Sequence, residues 1–327
     1  MFYYFSRFLI RLALPLFARK LCVINKSEVP TQKPVLIASN HAGSFFDAVV
    51  IGSVLSQPIY TLTRGDVFRK PKVARWLRRI KLIPVFRGSE GRENLKQIDG
   101  TMQECFTILN QKGTVVIFSE GVCVNEWNLR PLGKGTARMA YQAWNGENPL
   151  LHRLAVLPTG VNYEHFRGAN KRITLHFGKT IRPEDIKTDP AEYEKWLREF
   201  NALLTERMQA TILEIPADAS VEEQSIAIEN YFSNCERPKG NSILNGLGEM
   251  GRLVNRPIYR LYAKRVAKAT RRTVFYDSVL FGSLLYTYPL IVGLLALLIG
   301  GLAGLPYGLG VFVGLPLLAM AGNRYRG

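Results

Sequence analysis

His41 and Asp47 lie six positions apart in the segment Asn-His41-Ala-Gly-Ser-Phe-Phe-Asp47. An imidazole with a pKa near ~6.5 can take a proton from a hydroxyl at neutral pH. A neighbouring carboxylate fixes its tautomer and stabilises the imidazolium that forms. No serine or cysteine nucleophile is needed if the acceptor molecule brings its own hydroxyl. On one continuous helix, residues six apart point about 120° away from each other at ~100° per residue. The two groups can therefore meet only across a non-helical turn. Gly43 offers the freedom for such a turn. Ser44, with Asp47 three residues on, has the spacing of a capping box and opens a helix near Phe45. A helix cap with a packed histidine beneath it fits the same residues, so the surrounding elements have to decide.

Residues 24–215 alternate short apolar runs with helical patterns. Strands are expected at Val35–Ser39, Ile59–Thr63, Leu82–Phe86, Thr114–Phe118, Leu154–Asn162 and Arg172–Phe177. Helices are expected at Phe45–Leu55, Val73–Ile80, Arg92–Asn110, Thr136–Trp144 and Pro190–Ile212. This alternation predicts an α/β fold, a mostly parallel sheet flanked by helices. His41 then sits in the loop that leaves the first of these strands.

The ends of the chain read differently. From Ser278 to Asn323 no residue is charged. One straight helix of that length would reach about 69 Å, over twice a ~30 Å hydrocarbon core. Gly300, Gly301, Gly304, Pro306 and Gly308 supply a break, so a membrane hairpin with arms near 278–299 and 307–322 is expected. Between Gly251 and Tyr276 stand Arg252, Arg256, Arg260, Lys264, Arg265, Lys268, Arg271 and Arg272 with no acidic residue, and Arg324 and Arg326 follow the second arm. Basic flanks on both sides put both ends of the hairpin on the cytoplasmic face and attract anionic lipid head groups.

The net charge of +17 implies an anionic partner. The basic residues beside the apolar run favour a lipid membrane over nucleic acid. At the other end, Phe5, Phe8, Leu9, Leu12 and Leu16 recur at helical spacing with arginines off that stripe. Residues 1–23 are thus expected to form an interfacial amphipathic helix and not a signal peptide. Residues 216–277 read as a helical connector, with a helix at Glu222–Phe232, a linker at Arg237–Asn241 and the basic juxtamembrane run. Residues 278–327 hold the hairpin. Cys22, Cys105, Cys123 and Cys235 are widely spaced without a C-x-x-C pair and are expected to be free thiols. No metal-ligand cluster, phosphate-binding Gly-x-x-x-x-Gly-Lys loop or Gly-x-Ser-x-Gly elbow is apparent.

Four blocks then appear in order: Asn40-His41 to Asp47; Ile83-Pro-Val-Phe86-Arg87-Gly88; Val116-Ile-Phe-Ser-Glu120-Gly121; and Val156-Leu-Pro158-Thr-Gly160-Val. In this arrangement the sequence resembles the glycerolipid acyltransferase family, which includes lysophosphatidate and glycerol-3-phosphate acyltransferases. The resemblance covers residues 33–180. It implies that His41 and Asp47 form the catalytic pair and that Arg87, followed by Gly88, binds the acceptor phosphate. A guanidinium suits that task because two donors can engage one phosphate. The resemblance further implies that Glu120 and Gly121 close the acceptor site and that Pro158 shapes the acyl-donor side.

Two departures stand out. Five residues separate His41 from Asp47 where four are common in the family, and Val122-Cys123 follows Glu120-Gly121 where Thr-Arg is frequent. Arg130 or Lys134, just before a helix that Gly135 could open, is expected to take over the missing phosphate contact. The implied activity is transfer of a fatty acyl group from acyl-CoA or acyl carrier protein, a co-substrate and not a resident cofactor, to lysophosphatidate in phospholipid biosynthesis. Glycerol-3-phosphate or another lysolipid is an alternative acceptor. An inactive membrane-binding module is the alternative of another class.

Overall fold

The apolar runs become the strands of one sheet in the computed structural model, which describes residues 1–86, 93–235 and 240–325. The strands are β1 (Ala18–Ile24), β2 (Val35–Ser39), β3 (Ile59–Arg64), β4 (Leu82–Val85), β5 (Thr114–Phe118), β6 (Ala155–Tyr163) and β7 (Lys171–Phe177). Their order across the sheet is β1-β7-β6-β2-β5-β3-β4. All neighbours are parallel except β6 and β7. The expected α/β class with a mostly parallel sheet is what the chain adopts.

The expected helices are found at α2 (Phe45–Val54), α3 (Pro71–Arg79), α4 (Glu93–Asn110), α5 (Gly135–Asn145), α6 (Tyr193–Gln209) and α7 (Val221–Phe232). At the ends are α1 (Phe2–Phe17), α8 (Ser242–Ala269), α9 (Tyr276–Ala303) and α10 (Leu305–Arg324). The central strand β2 is buried on both faces, as in a sheet covered by helices on each side. Val35 and Ile37 point into a core shared with α1, α2 and α9, whereas Leu36 and Ala38 point into a core shared with α4, α5 and α6. Part of α9 is thus built into the domain.

Three features differ from the sequence expectation. The N-terminal helix ends at Phe17, and the residues after it form the edge strand β1, parallel to β7. Its partner strand lies some 150 residues away in the chain, beyond the reach of local periodicity. Second, the arginines of α1 are not simply solvated: Arg7 and Arg11 are tied to the end of α2, while Phe5, Phe8 and Leu12 face outward as an interfacial stripe would. Arg7 donates to Leu55 O and Ser56 O, and Arg11 donates to Ser53 O and Leu55 O at 2.9 Å each. Cations there satisfy the orphan carbonyls of α2 and complement its dipole. Third, Cys22 and Cys235 are not free: they form a disulfide that ties β1 to the chain following α7. Their separation of 213 residues concealed the pairing from any spacing argument. Cys105 and Cys123 are free.

The C-terminal hairpin forms as expected. The chain turns at Gly304, whose φ of 109° is open to glycine and strained for other residues. Both α9 and α10 are long and apolar enough to cross a membrane, and only 11% of the apolar window in each is buried. Large apolar side chains such as Leu294, Leu297, Leu302, Leu309 and Leu317 are exposed along it. The linker expected at Arg237–Asn241 falls largely outside the described residues.

Candidate active site

β2 ends at Ser39, and the next residue anchors the loop that follows. The Asn40 side chain donates to Val161 O at 3.1 Å and accepts from Val161 N at 2.8 Å, so the loop leaves β2 pinned to β6. The chain then bends through Ala42, Gly43 and Ser44 into α2. Across that bend the His41 Nδ1 lies 2.9 Å from Asp47 Oδ2. The imidazole lies flat on the Phe118 ring, with centroids 3.9 Å apart and planes 13° from parallel. It keeps 19% of its side-chain surface exposed, whereas Asp47 has none.

A fully buried carboxylate has to be compensated by donors. Asp47 accepts from Gly43 N at 3.0 Å and from the Tyr163 hydroxyl at 2.6 Å, besides facing His41. Burial and the Asp47 charge push the Tyr163 phenol well above its ordinary pKa, so it remains a proton donor. With Nδ1 held by Asp47, Nε2 is the ring nitrogen left to take a proton from a substrate.

The bend differs in two ways from the capping-box expectation. Ser44 is the residue before α2, but its side chain makes no cap hydrogen bond. Its backbone stands at φ 60°, ψ −136°, a strained region for any residue with a Cβ. Asp47 is taken up by Gly43, Tyr163 and His41 instead. Gly43 itself is absent from the positive-φ residues, so its role is space and not left-handed freedom. A Cβ there would stand 2.6 Å from Asp47 Oδ1 and 2.7 Å from the Tyr163 oxygen.

Glu120 lies beneath the same loop. Its carboxylate accepts from His41 N at 3.3 Å and from Arg130 N at 3.4 Å. Burial, as the main cause, pushes its pKa up to about 7. Gly121 turns the chain at φ 69°. The segment after Gly121 then wraps the loop that carries His41. Val124 N donates to His41 O at 3.2 Å, and the Asn125 side chain donates to Ala42 O. Burial pushes the Cys123 thiol up to about 12, so it stays protonated and unreactive.

Arg130 pairs with Glu126 and Lys134 with Glu194, each at 2.9 Å. Neither lines the cavity next to His41, although Gly133, Gly135 and Thr136 around the start of α5 do. Pro158 is buried in β6, opposite Ala38 of β2. Arg87 and Gly88 lie outside the described residues.

That cavity measures about 1390 Å³, more than the ~300–1,000 Å³ of an ordinary small-molecule pocket. Its walls come from α1, α2, β3, α3 and α9, with His41 and Cys123 at one end and Phe46, Val49, Phe281 and Leu285 on the apolar side. A carboxylate-bound imidazole thus faces a large greasy chamber. Such a site can deprotonate a hydroxyl beside a long apolar ligand. Sequence reasoning missed Tyr163 and Asn125, whose contacts with the loop cross the fold and leave no local spacing pattern.

Residues 20–162 match the family model described as Acyltransferase. No curated protein matches the chain. Among solved structures it is similar to the 1-acyl-sn-glycerophosphate (LPA) acyltransferase PlsC from Thermotoga maritima, at 12% identity and a TM-score of 0.43. That likeness covers 58% of this chain and 70% of the other.

Proposed function

We propose that this chain, whose residues 20–162 match the Acyltransferase family model, is an O-acyltransferase of the glycerolipid type that transfers a fatty acyl group from a thioester to the free hydroxyl of lysophosphatidate at a membrane surface. The observation that carries this reading is the His41–Asp47 pair, 2.9 Å apart, facing a cavity of about 1390 Å³.

The steps follow from the geometry. The acceptor hydroxyl docks against His41, and Nε2 removes its proton while Asp47 steadies the imidazolium. The freed oxygen attacks the thioester carbonyl of acyl-CoA or acyl carrier protein. A tetrahedral oxyanion forms and has to be held by donors already in place. Of the amides in the bend, that of Gly43 serves Asp47. The amide of Phe45, at the first turn of α2, is in no hydrogen bond among the described residues and suits the oxyanion. When the tetrahedral centre collapses, the C–S bond breaks and the thiolate takes the proton back from His41. The products are the ester and a free thiol.

The acceptor phosphate is assigned to Arg87, with Arg130 or Lys134 near the N-terminus of α5 as the second cation. The surface ion pairs that now occupy these two side chains are worth only ~0–1 kcal/mol and yield to a phosphate. Glu120, with a pKa of about 7, sits between the amides of His41 and Arg130 and closes the acceptor side. The acyl chain lies along the apolar wall formed by α2 and α9.

The exposed apolar faces of α1, α9 and α10 support a seat on a bilayer. The basic residues of α8 and the turn after it keep the active site on the cytoplasmic face.

The test is turnover by full-length protein in vesicles, with acyl-CoA and acyl carrier protein each offered to a panel of acceptors. Lysophosphatidate is expected to be acylated fastest. Preference for glycerol-3-phosphate would instead follow the longer His41–Asp47 spacing. Normal vesicle binding with no turnover on any acceptor would make the chain a membrane-binding module.

A further inference from the structure

The first turn of α9 does more than begin a membrane anchor. Ser278 reaches back to the catalytic bend on α2, more than 230 positions earlier in the chain. Its hydroxyl oxygen accepts from Phe46 N at 3.0 Å and donates to Gly43 O at 3.3 Å. Those two backbone groups flank Ser44, the strained residue of the bend. A serine inside a helix ordinarily bonds back to a carbonyl of its own helix, and Thr287 of α9 does so, to Ser283 O at 2.6 Å. The hydroxyl of Ser278 crosses to another element instead.

Its neighbours hold it there. Asp277 is buried, pairs with the equally buried Lys171 of β7 and accepts from Gly168 N at 2.7 Å. One turn further, Phe281 stands 5.2 Å from the Phe46 ring and 5.3 Å from the Phe17 ring. The start of α9 is therefore fixed to the sheet by a buried ion pair and to α2 by aromatic contact. Ser278 and Phe281 also line the cavity.

We infer that Ser278 is a positioning residue of the acyltransferase site: it clips the Gly43–Phe46 bend and so holds His41 and Asp47 in register, making the first turn of the membrane hairpin part of the catalytic apparatus. This inference rests on the assignment of His41 as the base. The hydroxyl is taken up by Phe46 N and Gly43 O and bonds neither His41 nor Asp47, so its effect falls on the rate of the chemical step and leaves substrate binding intact. A strained bend persists only when its surroundings hold it. Small misplacements of a reacting group are costly in rate.

The experiment compares full-length wild type with Ser278→Ala, Ser278→Thr, Gly293→Ala and His41→Ala in vesicles, with rates normalised to folded protein. Gly293 lies on the same helix with nothing within 4 Å of an added Cβ. Ser278→Ala is expected to lower kcat about tenfold, ~1.4 kcal/mol of transition-state stabilisation, at unchanged KM for donor and acceptor. Ser278→Thr, which keeps the hydroxyl, recovers at least half of the activity, and Gly293→Ala matches wild type. An unchanged kcat in Ser278→Ala overturns the inference. So does a loss that threonine does not rescue and that tracks a fall in melting temperature, since a merely structural serine behaves that way. The two readings fail separately: an inactive His41→Ala with a fully active Ser278→Ala removes only the clip, whereas a fully active His41→Ala removes the base assignment beneath it.

Discussion

Gly43→Ala probes the bend with the least chemical change. Gly43 lies outside the left-handed region, so an alanine meets no backbone penalty of that kind. The difficulty is space. Its Cβ would stand 2.6 Å from Asp47 Oδ1, 2.7 Å from the Tyr163 oxygen and 2.8 Å from Tyr163 Cε2. Ordinary van der Waals contact begins at 3.4 Å, so the carboxylate has to withdraw by roughly 0.8 Å or the bend has to open by as much. Both neighbours are buried, Asp47 at 0% and Tyr163 at 1% exposure, and neither has room to retreat. The displacement is therefore passed to His41 through the 2.9 Å contact.

Misplacement of a catalytic group by ~1 Å costs up to ~100-fold in rate, and overpacking a filled core costs ~1–3 kcal/mol. The expected result is a kcat lowered ten- to a hundredfold and a melting temperature lowered by several degrees. The assay is acylation of lysophosphatidate by protein in vesicles, alongside thermal unfolding. Gly246→Ala, where nothing lies within 4 Å, serves as the comparison and is expected to be neutral. A Gly43→Ala protein with kcat within twofold of wild type would refute the claim that Asp47 is held by close packing.

Three further outcomes are expected. Tyr163→Phe removes the 2.6 Å hydroxyl contact with the buried Asp47; a hydrogen bond to a charged group is worth ~1.5–3 kcal/mol, so urea unfolding should show a loss of that size, and an unmoved midpoint would contradict it. Glu120 has a folded pKa raised from 4.5 to about 7, so the folded state binds the extra proton between those values and stability falls as pH rises through that window. Denaturation at pH 4.5 and pH 7.5 should show wild type losing about 2–3 kcal/mol more than Glu120→Gln across that interval, and parallel curves would count against the buried carboxyl. Alkylation of unfolded, unreduced protein should label Cys105 and Cys123 alone, with Cys22 and Cys235 reacting after reduction; labelling of all four at the outset would argue against the disulfide.

What the sequence made legible was whatever short-range pattern governs. Strands such as Val35–Ser39 and Thr114–Phe118 are runs of aliphatic residues bounded by turns, and they lie where periodicity puts them. The break at Gly304 was readable because the length of a bilayer demands it. The meeting of His41 and Asp47 followed from two residue types and a required bend. The rest depends on partners distant in the chain. β1 exists because β7 offers a parallel edge, and Cys22 finds Cys235 only once α7 has folded over that edge. Tyr163 reaches Asp47 because β6 lies next to β2, and Ser278 reaches the bend because α9 docks beside α2. The capping-box spacing at Ser44 was a local signal that a non-local demand overrode: Asp47 serves His41 and Tyr163 instead.

The most direct test of the acyl-transfer account is a comparison of His41→Ala with His165→Ala. His165 does not line the cavity that His41 faces, and its ring contacts Arg167 O. A positioned general base contributes ~10²–10⁴-fold. With an acyl thioester and lysophosphatidate, His41→Ala is predicted to lose at least a hundredfold in turnover while His165→Ala keeps the wild-type rate. Equal rates in wild type and His41→Ala would contradict the account.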